Sequence, residues 1–124
     1  MVLYLILDLI KRKVYYVFMD AFQALAEPTR RQIIELIASK GNLSAADISG
    51  NFKISAPAIS QHLKILREAK LVDMEKRAQS RIYSINPKKL TEVEIWVKKL
   101  NKMWSKRFDK LDKLLTKEKD REEV

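Results

Sequence analysis

The chain has 124 residues, 47% of them hydrophobic, enough for one modest core and too short for a second independent one. Its 25 Lys and Arg against 16 Asp and Glu give a formal net charge of +9, a field that attracts phosphate polymers or anionic lipid. Cysteine is absent, which excludes disulfides, thiolate metal sites and thiol nucleophiles, and two glycines with three prolines exclude a loop-rich or many-hairpinned β protein. A mainly α fold is expected.

Residues 2–10 form an apolar run that Lys11-Arg12-Lys13 interrupts before a second apolar patch at 14–19. Neither patch is long enough to cross a bilayer as a helix. The charges follow the apolar run, whereas a secretory signal places them before it, so export is rejected. Three readings of residues 1–18 stand: an extra strand or helix that caps a dimer, a surface-lying segment, or codons upstream of an initiator at Met19. Residues 21–26 read as one short helix. Glu27-Pro28-Thr29 restarts the chain, because proline suits a first helical position and disrupts an interior one. The helix from Thr29 turns Ile33, Ile34, Leu36, Ile37 and Ala38 inward, leaves Arg30, Arg31, Glu35 and Lys40 wet, and stops at Gly41.

Ser44, with Asp47 three residues on, has the spacing of a capping box and opens a short helix ending near Gly50-Asn51, with Ile48 and Phe52 as core anchors. Residues 55–69 form the next helix. Pro57 sits near its first turn, and Ile59, Leu63 and Leu66 make one buried stripe opposite Ser60, Gln61, Lys64 and Arg67. Two short helices around a tight break, the second apolar on one side and small, polar and basic on the other, fit a helix-turn-helix.

Residues 71–76 and 81–85 carry strand-favouring side chains and suggest a β-hairpin. Its tip, residues 76–81, holds three positive charges and no acidic group, an arrangement costly by self-repulsion unless an anion faces it. Asn86-Pro87 ends the hairpin. Thr91 and Glu94 offer a second capping box for a long helix running to about residue 117, followed by a charged tail at 119–124. Val93, Trp96, Val97, Leu100, Trp104, Phe108, Leu111 and Leu115 form a stripe several turns long. One small domain cannot cover it, so a second copy is the simplest partner.

The run Ala21-Phe22-Gln23-Ala24-Leu25-Ala26-Glu27-Pro28-Thr29-Arg30-Arg31 and the run Ser60-Gln61-His62-Leu63-Lys64-Ile65-Leu66-Arg67-Glu68-Ala69-Lys70-Leu71-Val72 resemble the ArsR (SmtB) family of winged helix-turn-helix repressors. The likeness covers about residues 19–116. It reaches furthest toward the subgroup of sporulation-delaying autorepressors, which lacks metal thiolates. It implies an extension at 1–18, a winged helix-turn-helix domain at 19–86, a dimerisation helix at 87–118 and a charged tail. Ala78-Gln79 stands where many relatives carry glycine, so a wider wing turn is expected. The cysteine pairs and His-carboxylate clusters that bind metal in family sensors are not found in this sequence.

On this reading the DNA contacts are Arg30, Ser55, Ala56, Pro57, Ser60, Gln61, His62, Lys64, Lys76, Arg77, Gln79 and Arg81. Gln61 is placed for adenine and Ser60 for a phosphate or base edge. Arg30 and Arg31 sit where positive charge opposes the helix dipole, which points to a phosphate contact for one of them or a pair with Glu27 or Glu35. His62 fits packing or a phosphate better than a metal, since one imidazole builds no metal site alone. The dimer contacts are Phe22, Leu25 and the stripe from Val93 to Leu115. The competing reading of each charged face is ordinary solvated surface, and of the apolar stripe an effector pocket.

The function implied is a sequence-specific DNA-binding transcriptional regulator, a cytoplasmic repressor acting as a homodimer on double-stranded DNA, with recognition helices ~34 Å apart on a pseudo-palindromic operator. The alternatives are a winged-helix module for an acidic protein and a basic protein held on a membrane through residues 1–18. No glycine loop for phosphate, Ser-His-Asp or Cys-His set, or metal cluster supports an enzyme, a cofactor or a metal. The operator, the regulated genes and any small-molecule or protein effector are not legible.

Overall fold

The computed structural model describes the backbone of residues 1–122 and the side chains of residues 1–10 and 21–122. In chain order the elements are α1 (Val2–Ala26), α2 (Pro28–Lys40), β1 (Leu43–Ser44), α3 (Ala45–Gly50), α4 (Ala56–Glu68), β2 (Val72–Arg77), β3 (Ser80–Ile85) and α5 (Pro87–Glu122). Met1–Leu90 and Thr91–Val124 form two compact units.

The first correction to the sequence reading falls at the N-terminus. The short helix expected at 21–26 is the last part of a 25-residue helix, and the expected end of the extension at residue 18 lies inside it. Lysine and arginine are good helix formers, and no glycine or proline interrupts residues 2–26, so the basic triplet does not break the helix. The side chains of Lys11-Arg12-Lys13 and of the patch 14–19, Met19 included, lie outside the described residues. Residues 1–10 are exposed throughout, whereas Ala21 and Ala24 near the other end are buried. No helix among the described residues is long and apolar enough to cross a membrane.

Helix α2 starts as expected around Pro28. Glu27 is its N-cap, with a carboxylate oxygen accepting the Arg30 N–H at 2.9 Å, and Gly41 closes it at φ 86°, a conformation that side chains resist. Ser44 caps α3 by accepting the Asp47 N–H at 3.1 Å, and Ser55 caps α4 by accepting the Ala58 N–H at 3.3 Å. The core joins Ile33 and Ile37 of α2, Ile48 of α3, and Ile59, Leu63 and Leu66 of α4 to Leu71 and Val72, all essentially without solvent contact. Each such side chain contributes on the order of 1.5–3 kcal/mol by leaving water. Phe52, expected among the anchors, is only half-buried, and Ala38 faces solvent.

The sheet has three antiparallel strands in the order β1-β3-β2. Two-residue β1, which the sequence reading lacked, pairs Leu43 with Tyr83 and Ser44 with Ile82. The β2-β3 hairpin runs in register from Val72 opposite Ile85 to Arg77 opposite Ser80. The turn is therefore the two residues Ala78-Gln79, tighter than expected, and it is made by Ala78 entering the left-handed region at φ 54°.

Helix α5 begins four residues ahead of the expected Thr91 cap. Asn86 Oδ1 accepts the Lys88 N–H at 3.2 Å, and Pro87 takes the first helical position. No proline or glycine follows, and the helix continues to Glu122, past the expected stop near residue 117. From Thr91 onward every described residue except half-buried Val93 is exposed. Glu94 and Lys98 pair one turn apart at 2.7 Å on this wet surface.

Candidate nucleic-acid interface

Helices α3 and α4 with the break between them make the helix-turn-helix. The buried stripe of α4 fixes its opposite face outward, and there Ser60, Gln61, Lys64 and Arg67 are all exposed. Ser55, Ala56 and Pro57 at its N-terminal end are exposed as well, so the segment expected to meet DNA forms one accessible surface. A short side chain at Ser60 beside Gln61 and Lys64 leaves room for close approach to a groove while supplying an amide and a cation.

The hairpin adds charge. Lys76 lies directly opposite Arg81 across β2 and β3, and both are exposed. Like charges at a cross-strand position repel, and an anion over that face would remove the penalty. Arg77 differs from its two neighbours. Its guanidinium meets Glu75 at 3.3 Å, an intramolecular pair that the reading of the tip alone missed because Glu75 lies one residue before it. Gln79 is exposed in the turn.

Besides Arg77, the expected DNA residues Arg30 and His62 have partners within the fold, as does Arg31. Arg30 Nε donates to the Ala24 carbonyl at 2.7 Å and Nη2 to that of Gln23 at 3.2 Å, while Arg31 Nη1 donates to Leu25 and Ala26 at 2.7 and 3.0 Å. The arginines thus satisfy the otherwise unpaired carbonyls that end α1, a use of their position that the dipole argument did not include. His62 is half-buried, with Nδ1 3.5 Å from Arg30 Nη1 and 3.9 Å from the Glu27 carboxylate. Partial desolvation pushes the Glu27 carboxyl up, but the Arg30 N–H, His62, the Thr29 side chain and the Arg30 charge outweigh it and hold it below the usual carboxylate value.

The expected dimer residues divide similarly. Phe22 is partly exposed and Leu25 half-buried near the end of α1. Trp96, Val97, Leu100, Trp104, Phe108, Leu111 and Leu115 are exposed on α5, with the Trp104 and Phe108 rings tilted at a centroid distance of 6.5 Å. At 100° per residue, these and Val93 fall within an arc of about 120°. Met103 and Leu114, absent from the sequence reading, are exposed; Leu114 falls on the Trp96 edge of the arc and Met103 widens it there, whereas exposed Ile95 lies off it.

A capped groove-sized helix with a polar outer face, packed against a basic hairpin, defines a winged-helix DNA-binding transcriptional regulator. The sequence profile of the "Bacterial regulatory protein, arsR family" matches residues 27–74, from the α2 cap into β2. The chain is 37% identical over 78 residues to the transcriptional repressor SdpR of Bacillus subtilis, covering 63% of this chain and 86% of that protein. It is 34% identical over 100 residues to an HTH-type transcriptional regulator of Mycobacterium tuberculosis, covering 81% and 90%. An ArsR-like transcriptional regulator from Rhodococcus shares the fold, with TM-score 0.68 at 22% identity over 82% of this chain and 95% of that one. The chain belongs to the arsR family of bacterial regulatory proteins.

Proposed function

We propose that the chain is a cytoplasmic repressor that binds a pseudo-palindromic operator as a homodimer. The observation that carries the DNA reading is the Lys76-Arg81 cross-strand pair, two exposed cations held face to face on the hairpin of the same unit that presents Ser60, Gln61 and Lys64. Phosphate relieves that repulsion and polar groups on α4 read base edges. Family membership favours this over an acidic protein partner or a lipid surface as the target of the charge. In this reading Arg30 and His62 stand behind the contact surface.

Pairing rests on α5. An apolar arc from half-buried Val93 to Leu115, with Leu114 on its Trp96 edge and Met103 beside it, is a surface that water penalises and a twofold partner covers. Phe22 and Leu25 of α1 join the seam. Two recognition helices then lie about one DNA turn apart, ~34 Å, and occupancy of the operator blocks the polymerase.

The test is selection of genomic fragments by the purified full chain, followed by affinity measurement over a salt series. One symmetric site should emerge, with log affinity falling against log salt as expected for roughly six to ten phosphates. Equal affinity for all fragments at physiological salt would remove the specific-repressor reading.

A further inference from the structure

Three polar side chains meet away from the groove-facing surface, where α1, α2 and α4 converge. His62 belongs to α4, yet it shares neither the full exposure of Gln61 and Lys64 nor the burial of Leu63. Its side chain is 21% exposed, and Nδ1 lies 3.5 Å from Arg30 Nη1. Arg30 is fixed from the other side, through Nε and Nη2, by the Ala24 and Gln23 carbonyls of α1. Glu27 ties the same group to α2, since its carboxylate accepts the Arg30 N–H at 2.9 Å and lies 3.9 Å from His62 Nδ1.

The chemistry sets the roles. A guanidinium only donates, so Arg30 bonds to Nδ1 when that nitrogen carries a lone pair and the ring proton sits on Nε2. The apolar stripe of α4 sets which face of the helix turns outward, but burial itself is non-directional, so the finer rotation of the helix about its axis is left to directional contacts. A hydrogen bond is directional. We propose that Arg30 and His62 form a brace between the end of α1 and the recognition helix, and that His62 is a positioning residue which sets the rotation of α4 instead of touching DNA. The proposal rests on the reading of α4 as the groove helix. Because Phe22 and Leu25 lie in the last turns of α1, the brace also joins the proposed seam to the groove.

Asparagine and glutamine separate the two roles of the ring. His62→Asn places an acceptor near the Nδ1 position, whereas His62→Gln places one near Nε2 and leaves Arg30 unmet. The brace predicts operator affinity close to wild type for His62→Asn and a loss of roughly threefold to tenfold for His62→Gln, with both full-length variants folded by circular dichroism. Rescue by Gln and failure of Asn would overturn it in favour of direct DNA contact by Nε2. Wild-type affinity in both variants would also overturn it. A nitrogen-15 NMR spectrum of the DNA-free chain scores the brace independently of DNA binding. An Nε2-protonated ring whose tautomer becomes mixed in Arg30→Met supports the brace, and a ring indifferent to that substitution overturns it. A wild-type chain with the expected spectrum that ignores duplex DNA sinks the groove-helix reading and leaves the contact itself standing.

Discussion

The Leu71 amide donates to the Leu66 carbonyl at 3.0 Å while the Lys70 amide donates to that of Arg67, also at 3.0 Å. These two bonds form a Schellman ending on the recognition helix, and they place Lys70 at φ 62°. A side chain in that region costs about 1–2 kcal/mol, whereas glycine removes the strain and loses ~0.5–1 kcal/mol in chain entropy. Lys70→Gly is therefore expected to stabilise the fold by about 0.5–1 kcal/mol. Urea denaturation at constant m-value checks it, and a lower midpoint would show that the Lys70 stem packs usefully.

Gln61 and Lys76 should fail in different ways when truncated. Gln61→Ala removes an amide suited to one base edge and should relax discrimination at one operator position by roughly 1–3 kcal/mol. Lys76→Ala should weaken all sequences alike and reduce the salt slope by about one. Affinities for a panel of single-base operator variants at two salt concentrations distinguish these outcomes. A uniform loss in the Gln61 variant would mean that its face meets only backbone.

Trp104→Asp puts a charge in the middle of the α5 arc. The expected product is a monomer in sedimentation velocity that retains the helical spectrum and loses the operator. A stable dimer of this variant would place the seam elsewhere.

Glu27 supplies a pH signature. Its folded-state value lies below the ordinary 4.5, so the stability it contributes is intact above that pH and disappears as pH falls through the folded value. Thermal melts stepped from pH 6 to 3 should fall more steeply for wild type than for Glu27→Gln. Parallel curves would assign the acid sensitivity to other carboxylates.

Helix α4 was legible because Ile59, Leu63 and Leu66 repeat at helical spacing behind a proline in the first turn, and the exposed cations of the wing followed from the residues of its tip. Features without a periodic or local signal were not. Two-residue β1 has no alternation to read, and Ala78 carries no mark of a left-handed turn. The basic triplet in α1 looked like punctuation, although neither Lys nor Arg ends a helix. Thr91-Glu94 imitated a start that Asn86-Pro87 had already made. The Arg30-His62 contact joins residues 32 positions apart, which only the packing of α2 on α4 reveals.

Ser44 closes β1 against Ile82 of the hairpin and, with no intervening loop, caps α3 through its hydroxyl. Hairpin and helix-turn-helix therefore share a residue as a common pivot, with no slack chain between them. A displacement of the wing therefore reaches the start of α3 through one residue, Ser44, with no loop to absorb it.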